Sequence, residues 1–208
     1  MPTDAAALSA YARRWHLRRQ ALVTLTCAFL WLATPLRLYD VPARDGVQGA
    51  LWPLVPALFA ATLPAVLATA ADTQERITPT ANRVRALTTT LVAALALALA
   101  LTGALNDPAV AFRNTLLLTG LAFAGACCLP PPAAWTPPVA IPILMWLLGT
   151  KPQAEVEPWA VLLLPAHAPH PWPIAAALTA AATTTYVLKG PRVPRAAKSL
   201  VRQPKGSR

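Results

Sequence analysis

Charge is scarce in this chain, and acidic charge scarcest. Only 12% of its 208 residues are Asp, Glu, Lys or Arg, and 8 of these are acidic against 18 basic; a soluble domain carries about a quarter charged residues. Whole stretches lack any charge for the roughly 17–25 residues that a spanning helix needs, which excludes an ordinary water-soluble core and points to a membrane. The short alternating segments of a β-barrel are missing as well. Cysteine is limited to Cys27, Cys127 and Cys128, all inside apolar runs. Without C-x-x-C spacing or a second ligand pair they read as small buried hydrophobes rather than redox or zinc residues. No Gly-Lys dipeptide occurs, so the chain has no phosphate loop of its own, and Gly-rich dinucleotide fingerprints, H-E-x-x-H and DDxxD-like acidic clusters are equally absent. No cofactor is expected in this chain; ATP would enter only through a partner subunit.

What charge there is lies at the ends. The formal net charge is +10. Arg13, Arg14, Arg18 and Arg19 precede the first apolar run, and Lys189, Arg192, Arg195, Lys198, Arg202, Lys205 and Arg208 follow the last. Nucleic acid is not the expected partner, because these segments lack interleaved aromatics and any reading module. Basic flanks are instead a topology signal, and they can also attract anionic lipid. Residues 1–19 suggest a basic amphipathic segment on the membrane surface, with Tyr11 and Trp15 as interface anchors.

The expected fold is all-α, a polytopic membrane helix bundle with six transmembrane helices. The spans are placed at 20–36, 49–71, 86–105, 114–129, 133–149 and 172–188, followed by a basic tail, 189–208. Pro53, Pro56 and Pro64 should bend the second span, and the carbonyls they free must be satisfied by neighbouring helices, so this span should pack inside the bundle. Segment 158–166 is apolar but only about 13 Å long as a helix, too short to cross, and reads as re-entrant or interfacial. With both termini cytoplasmic, 14 of the 18 basic residues fall inside and only Arg37, Arg44, Arg113 and Lys151 outside, which is the positive-inside arrangement of a multi-pass plasma (inner) membrane protein.

Few residues carry candidate chemistry. His167 and His170 are flanked by prolines and have no neighbouring carboxylate or cysteine, so an outer loop is the simpler reading than a metal site. Glu155 and Glu157 sit two apart in a loop, a spacing that does not build an acid–base pair. No catalytic, cofactor or metal residue is assigned. Thr88, Thr89 and Thr90 can bond back to the preceding turn and need no functional explanation. Arg113 and Asn114, at the edge of the fourth span, either snorkel to the interface or hydrogen-bond across helices toward a polar path.

The stretch RNTLLLTGLAF (113–123), then PPPAAWTPP (130–138) and MWLLG (145–149), resembles short six-span ABC transporter permease-like membrane proteins of actinobacteria. The Arg-rich, Ala- and Pro-rich composition suits that group. The resemblance implies an exporter-type membrane subunit with a surface elbow helix, a loop between spans two and three that meets the ATPase, and short re-entrant segments between spans five and six. Such a subunit works as a homodimer or heterodimer with a separate ATPase subunit and moves an amphipathic or peptide-like compound outward. Glu75, Arg76, Arg83 and Arg85 are then the candidates for contacting the ATPase. Two other readings stay open: a small integral-membrane enzyme acting on a lipid or isoprenoid, and a non-catalytic membrane partner or immunity protein.

Overall fold

In the computed structural model the described residues are 17–33, 38–42, 44–69, 81–152 and 155–192. Residues 1–16 of the expected surface segment 1–19, residues 70–80 with Glu75 and Arg76, and the residues beyond 192 lie outside them. Six α-helices account for most of what is described: α1 Leu17–Ala33, α2 Pro56–Thr69, α3 Ala81–Gly103, α4 Pro108–Cys128, α5 Thr136–Gly149 and α6 Pro171–Lys189. Each coincides with an apolar run. The two terms shift at the helix ends. α3 begins five residues before the expected span, because Asn82, Arg83 and Arg85 form its polar first turns. α4 begins at Pro108, where Asp107 caps it by accepting the Val110 N–H at 3.0 Å and proline needs no N–H partner.

Three of these helical runs are long and apolar enough to cross a membrane: Asn82–Gly103, Pro108–Cys128 and Pro131–Gly149, the last including a 3-10 turn at Pro131–Ala133. α1 has 17 residues and α2 has 14, short of that length, while α6 is interrupted by Thr, Pro and Trp. The coarse expectation of an apolar helical bundle therefore holds, with three membrane-length helices rather than six among the described residues.

Cross-contacts order the bundle. α4 is central. It contributes none of the large exposed hydrophobics, and most of its residues from Val110 to Ala126 are buried. α6 runs parallel to it: Thr179 donates to the Leu116 carbonyl at 2.8 Å, Phe123 and Tyr186 meet edge to face, and the Arg192 N–H reaches the Ala126 carbonyl. α3 is antiparallel to both, with Arg85 beside Val187 and Gly190 at one end and Gly103 against Trp31 at the other. α2 is buried through Phe59, Leu63 and Leu67, as its prolines suggested, and the Tyr186 hydroxyl donates to the Leu67 carbonyl near its end. The surrounding helices turn Leu22, Leu25, Phe29, Leu97, Leu101, Leu144 and Leu148 outward. In water such a surface would drive association; against hydrocarbon it is the favoured one.

Between α1 and α2 the chain forms a two-stranded hairpin. Strands β1 (Leu38–Asp40) and β2 (Gln48–Ala50) pair antiparallel, and the turn between them uses Gly46 at φ +71. Glycine suits that backbone because it has no Cβ to clash. At the other end of the bundle, 129–135 is a tight proline turn, where Gly125 on α4 lets the Ala134 carbonyl approach.

Candidate functional site

After α5 the chain does not return directly. Thr150 and Val156 form an isolated bridge, and from Glu157 to His170 the backbone makes successive turns without helix or strand. Ala160, Val161, Leu162 and Leu164 are nonetheless buried, because this apolar piece folds back onto the end of the bundle. Gly149 permits the approach: a Cβ there would stand 2.3 Å from Ala160 Cβ. A turn segment buried among apolar side chains leaves carbonyls without ladder partners, and each must find a donor or cost the fold about 1–3 kcal/mol.

Arg113 and Asn114 supply those donors. Arg113 is 0% exposed and Asn114 1%. The Arg113 guanidinium donates from Nη2 to the Leu164 carbonyl at 2.7 Å and the Leu162 carbonyl at 3.4 Å, and from Nη1 to the Pro165 carbonyl at 3.3 Å. Its Nε donates to Asn114 Oδ1 at 3.1 Å, which orients the amide. Asn114 Nδ2 then donates to the Leu162 carbonyl at 2.7 Å and to the Pro53 carbonyl at 3.1 Å. Two adjacent side chains thus tie α4 to the turn segment and to the 3-10 turn Trp52–Leu54 before α2.

The sequence left open whether Arg113 snorkels or bonds across elements. It bonds across. Because α4 starts at Pro108, Arg113 is its sixth residue, roughly 8 Å in at 1.5 Å per residue, and its head turns inward to carbonyls rather than out to solvent. Among the described residues it has no ion-pair partner; carbonyl dipoles take that place, which suits a planar fork of five N–H donors.

Other contacts brace the same end. Trp31 Nε1 donates to the Trp52 carbonyl at 2.6 Å, and Asn106 Nδ2 donates to the Trp31 carbonyl at 3.1 Å. Arg44 Nη1 donates to the Leu147 and Thr150 carbonyls, closing the C-terminal end of α5. Sequence reading counted Arg44 only as an outer charge and left Asn106 and Trp31 unremarked; their partners lie up to 106 residues away, and no local pattern marks them.

The remaining candidates are dispersed. Arg83 is exposed, whereas Arg85 is buried with Nη1 3.4 Å from the Val187 carbonyl and the guanidinium against Gly190. Glu157 pairs with Lys151 at 3.1 Å, Glu155 is exposed, and both histidines are exposed, His170 lying 3.1 Å from the Pro158 carbonyl. Of the cysteines, Cys27 is buried and Cys127 half-buried, but Cys128 is exposed at the helix end, so the expectation of three buried thiols holds for the first alone in full. Among the described residues no three His, Cys, Asp or Glu side chains gather.

A cleft of about 240 Å³ lies on the opposite flank of α4, between α3 and α6, walled by Ala96, Leu97, Phe123 and Trp172 and by five threonines. It carries no charged side chain. No family model, curated protein or solved structure matches the chain.

Proposed function

We propose that this chain is the membrane subunit of an ABC-type exporter that works with a separate ATPase subunit and moves an amphipathic or peptide-like compound outward. The observation that carries the reading is the segment 158–166, folded back onto one end of an apolar bundle between α5 and α6 and held there by Arg113 and Asn114. A re-entrant element between the last two helices is what the resemblance of 113–149 to permease-like proteins implies, and the clamp gives that element a fixed position. The chain's own lack of a phosphate loop makes a partner ATPase the source of energy.

In this reading all six helices cross a plasma membrane, with both termini cytoplasmic. The contacts that bring Gly190 and Arg192 beside Arg85, Ala126 and Cys128 support one end for these segments, and the clamped segment with Asp107 and the hairpin belongs to the other. The cytoplasmic end would then meet the ATPase through Glu75, Arg76 and Arg83, while Arg85 stays engaged with α6. The membrane subunit acts as a dimer, and the basic termini bind anionic lipid.

The test is co-purification of the tagged full-length chain, expressed in its own cells, with an ATPase subunit identified on the resin. The pair should be retained on the resin, and Arg76→Glu with Arg83→Glu should weaken retention by about tenfold or more at low salt. A chain that expresses and folds but retains no ATPase contradicts the proposal.

A further inference from the structure

Threonines inside apolar helices ordinarily return the hydroxyl to a carbonyl of the preceding turn. Thr24, Thr88, Thr89, Thr90, Thr183 and Thr185 do so here, each bonding the carbonyl four residues back. Thr115 and Thr119 do not. They are 2% and 5% exposed, and neither Oγ1 has a hydrogen-bond partner among the described residues. Spaced four apart, they share one face of α4 with Cβ atoms about 5–6 Å from each other, and both line the cleft between α3 and α6. The cleft's other hydroxyls are already committed: Thr89 donates to Arg85, Thr179 to Leu116 and Thr183 to Thr179.

Depth makes the vacancy costly. Thr115 and Thr119 are the eighth and twelfth residues of α4, roughly 10 and 16 Å from its start at 1.5 Å per residue. At that depth hydrocarbon supplies no acceptor, and an unmet hydroxyl is expensive. The walls fix the rest of the chemistry. They are apolar and uncharged, so an ion is disfavoured, and about 240 Å³ is below the roughly 300–1,000 Å³ that drug-sized ligands occupy. Leu97 and Trp172 at the lip are 52% and 37% exposed on the outward flank, which gives entry from the side.

We propose that this cleft is a binding site for a neutral, membrane-soluble molecule carrying a carbonyl oxygen on an apolar chain; the Thr115 and Thr119 Oγ1 atoms are closed off from the cleft, and a χ1 rotation of each side chain turns its hydroxyl to the ligand. The site rests on the membrane setting and not on the exporter reading, so it stands or falls without an ATPase partner.

Infrared spectroscopy reads such a bond directly. The full chain in phosphatidylcholine nanodiscs is titrated with 9-heptadecanone, labelled with carbon-13 at the carbonyl to separate its band from the lipid esters. A red-shifted carbonyl band should grow to one ketone per chain. Thr115→Val with Thr119→Val, which keeps side-chain volume, should remove the shifted band and weaken binding on the order of tenfold. Ala96→Leu fills the cleft without touching either hydroxyl and should remove the band as well. No shifted band with the wild-type chain overturns the proposal, as does an undiminished band in either variant that elutes as a folded species.

Discussion

Arg113 is the most consequential single side chain, because it serves as donor to three carbonyls that have no ladder of their own. Replacing it with leucine keeps the apolar volume but leaves the Leu164 carbonyl without its donor, while the Leu162 carbonyl keeps Asn114 and the Pro165 carbonyl keeps the Ala168 N–H. At about 1–3 kcal/mol for the one buried group left unsatisfied, Arg113→Leu should cost about 1–3 kcal/mol and lower the thermal midpoint in detergent by several degrees. Arg113→Lys keeps the charge but loses the planar fork, so it should recover only part of that loss. Asn114→Leu, removing two donors and the acceptor that orients Arg113, should destabilise by a similar amount, and the double variant by less than the sum of the singles, because the two residues share one network. Equal, additive and small effects would show that the clamp contributes little. An Arg-Asn pair beside an apolar run was visible in the sequence, and so was the choice between snorkelling and bonding across elements. What decided it was the start of α4 at Pro108, nearly two turns earlier than the apolar run suggested.

At the scale of elements, the most extensive helix pairing is between α4 and α6. A Cβ at Gly120 would stand 2.6 Å from Thr179 Oγ1 and 3.0 Å from the Thr179 Cα, so the helix backbone as well as a side chain would have to shift. Gly120→Val should therefore cost about 1–3 kcal/mol by overpacking and also break the Thr179 bond to the Leu116 carbonyl, while Gly46→Ala, in open space, should act only through its positive φ. Thermal unfolding of both variants in the same detergent separates the two causes. Arg44→Ala should cost about 1–2 kcal/mol by uncapping the end of α5. Helices were readable because charge-free length is a direct signature of spanning segments. Their ends were not, since polar residues such as Asn82, Arg83 and Arg85 extend a helix beyond its apolar part. The hairpin escaped for another reason: its strands are three residues each and alternate too briefly to register.

For the whole molecule, native Cys128 offers a probe of orientation. It is exposed at the end that also carries Gly190 and Arg192, whereas Leu105, 76% exposed, lies at the clamped end. With both termini cytoplasmic, an impermeant maleimide should label Cys128 only after cells are opened, and should label Leu105→Cys in a Cys128→Ser background from outside. The reverse pattern would invert the orientation. Charge asymmetry in the sequence is what predicts that orientation, whereas nothing in the sequence marked the unpartnered hydroxyls of Thr115 and Thr119. Their unmet state depends on rotamers that no sequence pattern carries. The account's central claim is that Arg113 pins the segment between α5 and α6 to the end of the bundle. Hydrogen exchange of the chain in nanodiscs tests it: amides of 157–163, among them Glu157, Ala160 and Leu163, which are hydrogen-bonded in the fold, should be protected in the wild-type chain and exchange at least tenfold faster in Arg113→Leu, with α3 and α5 unchanged. Equal protection of that segment in the two proteins would contradict the account.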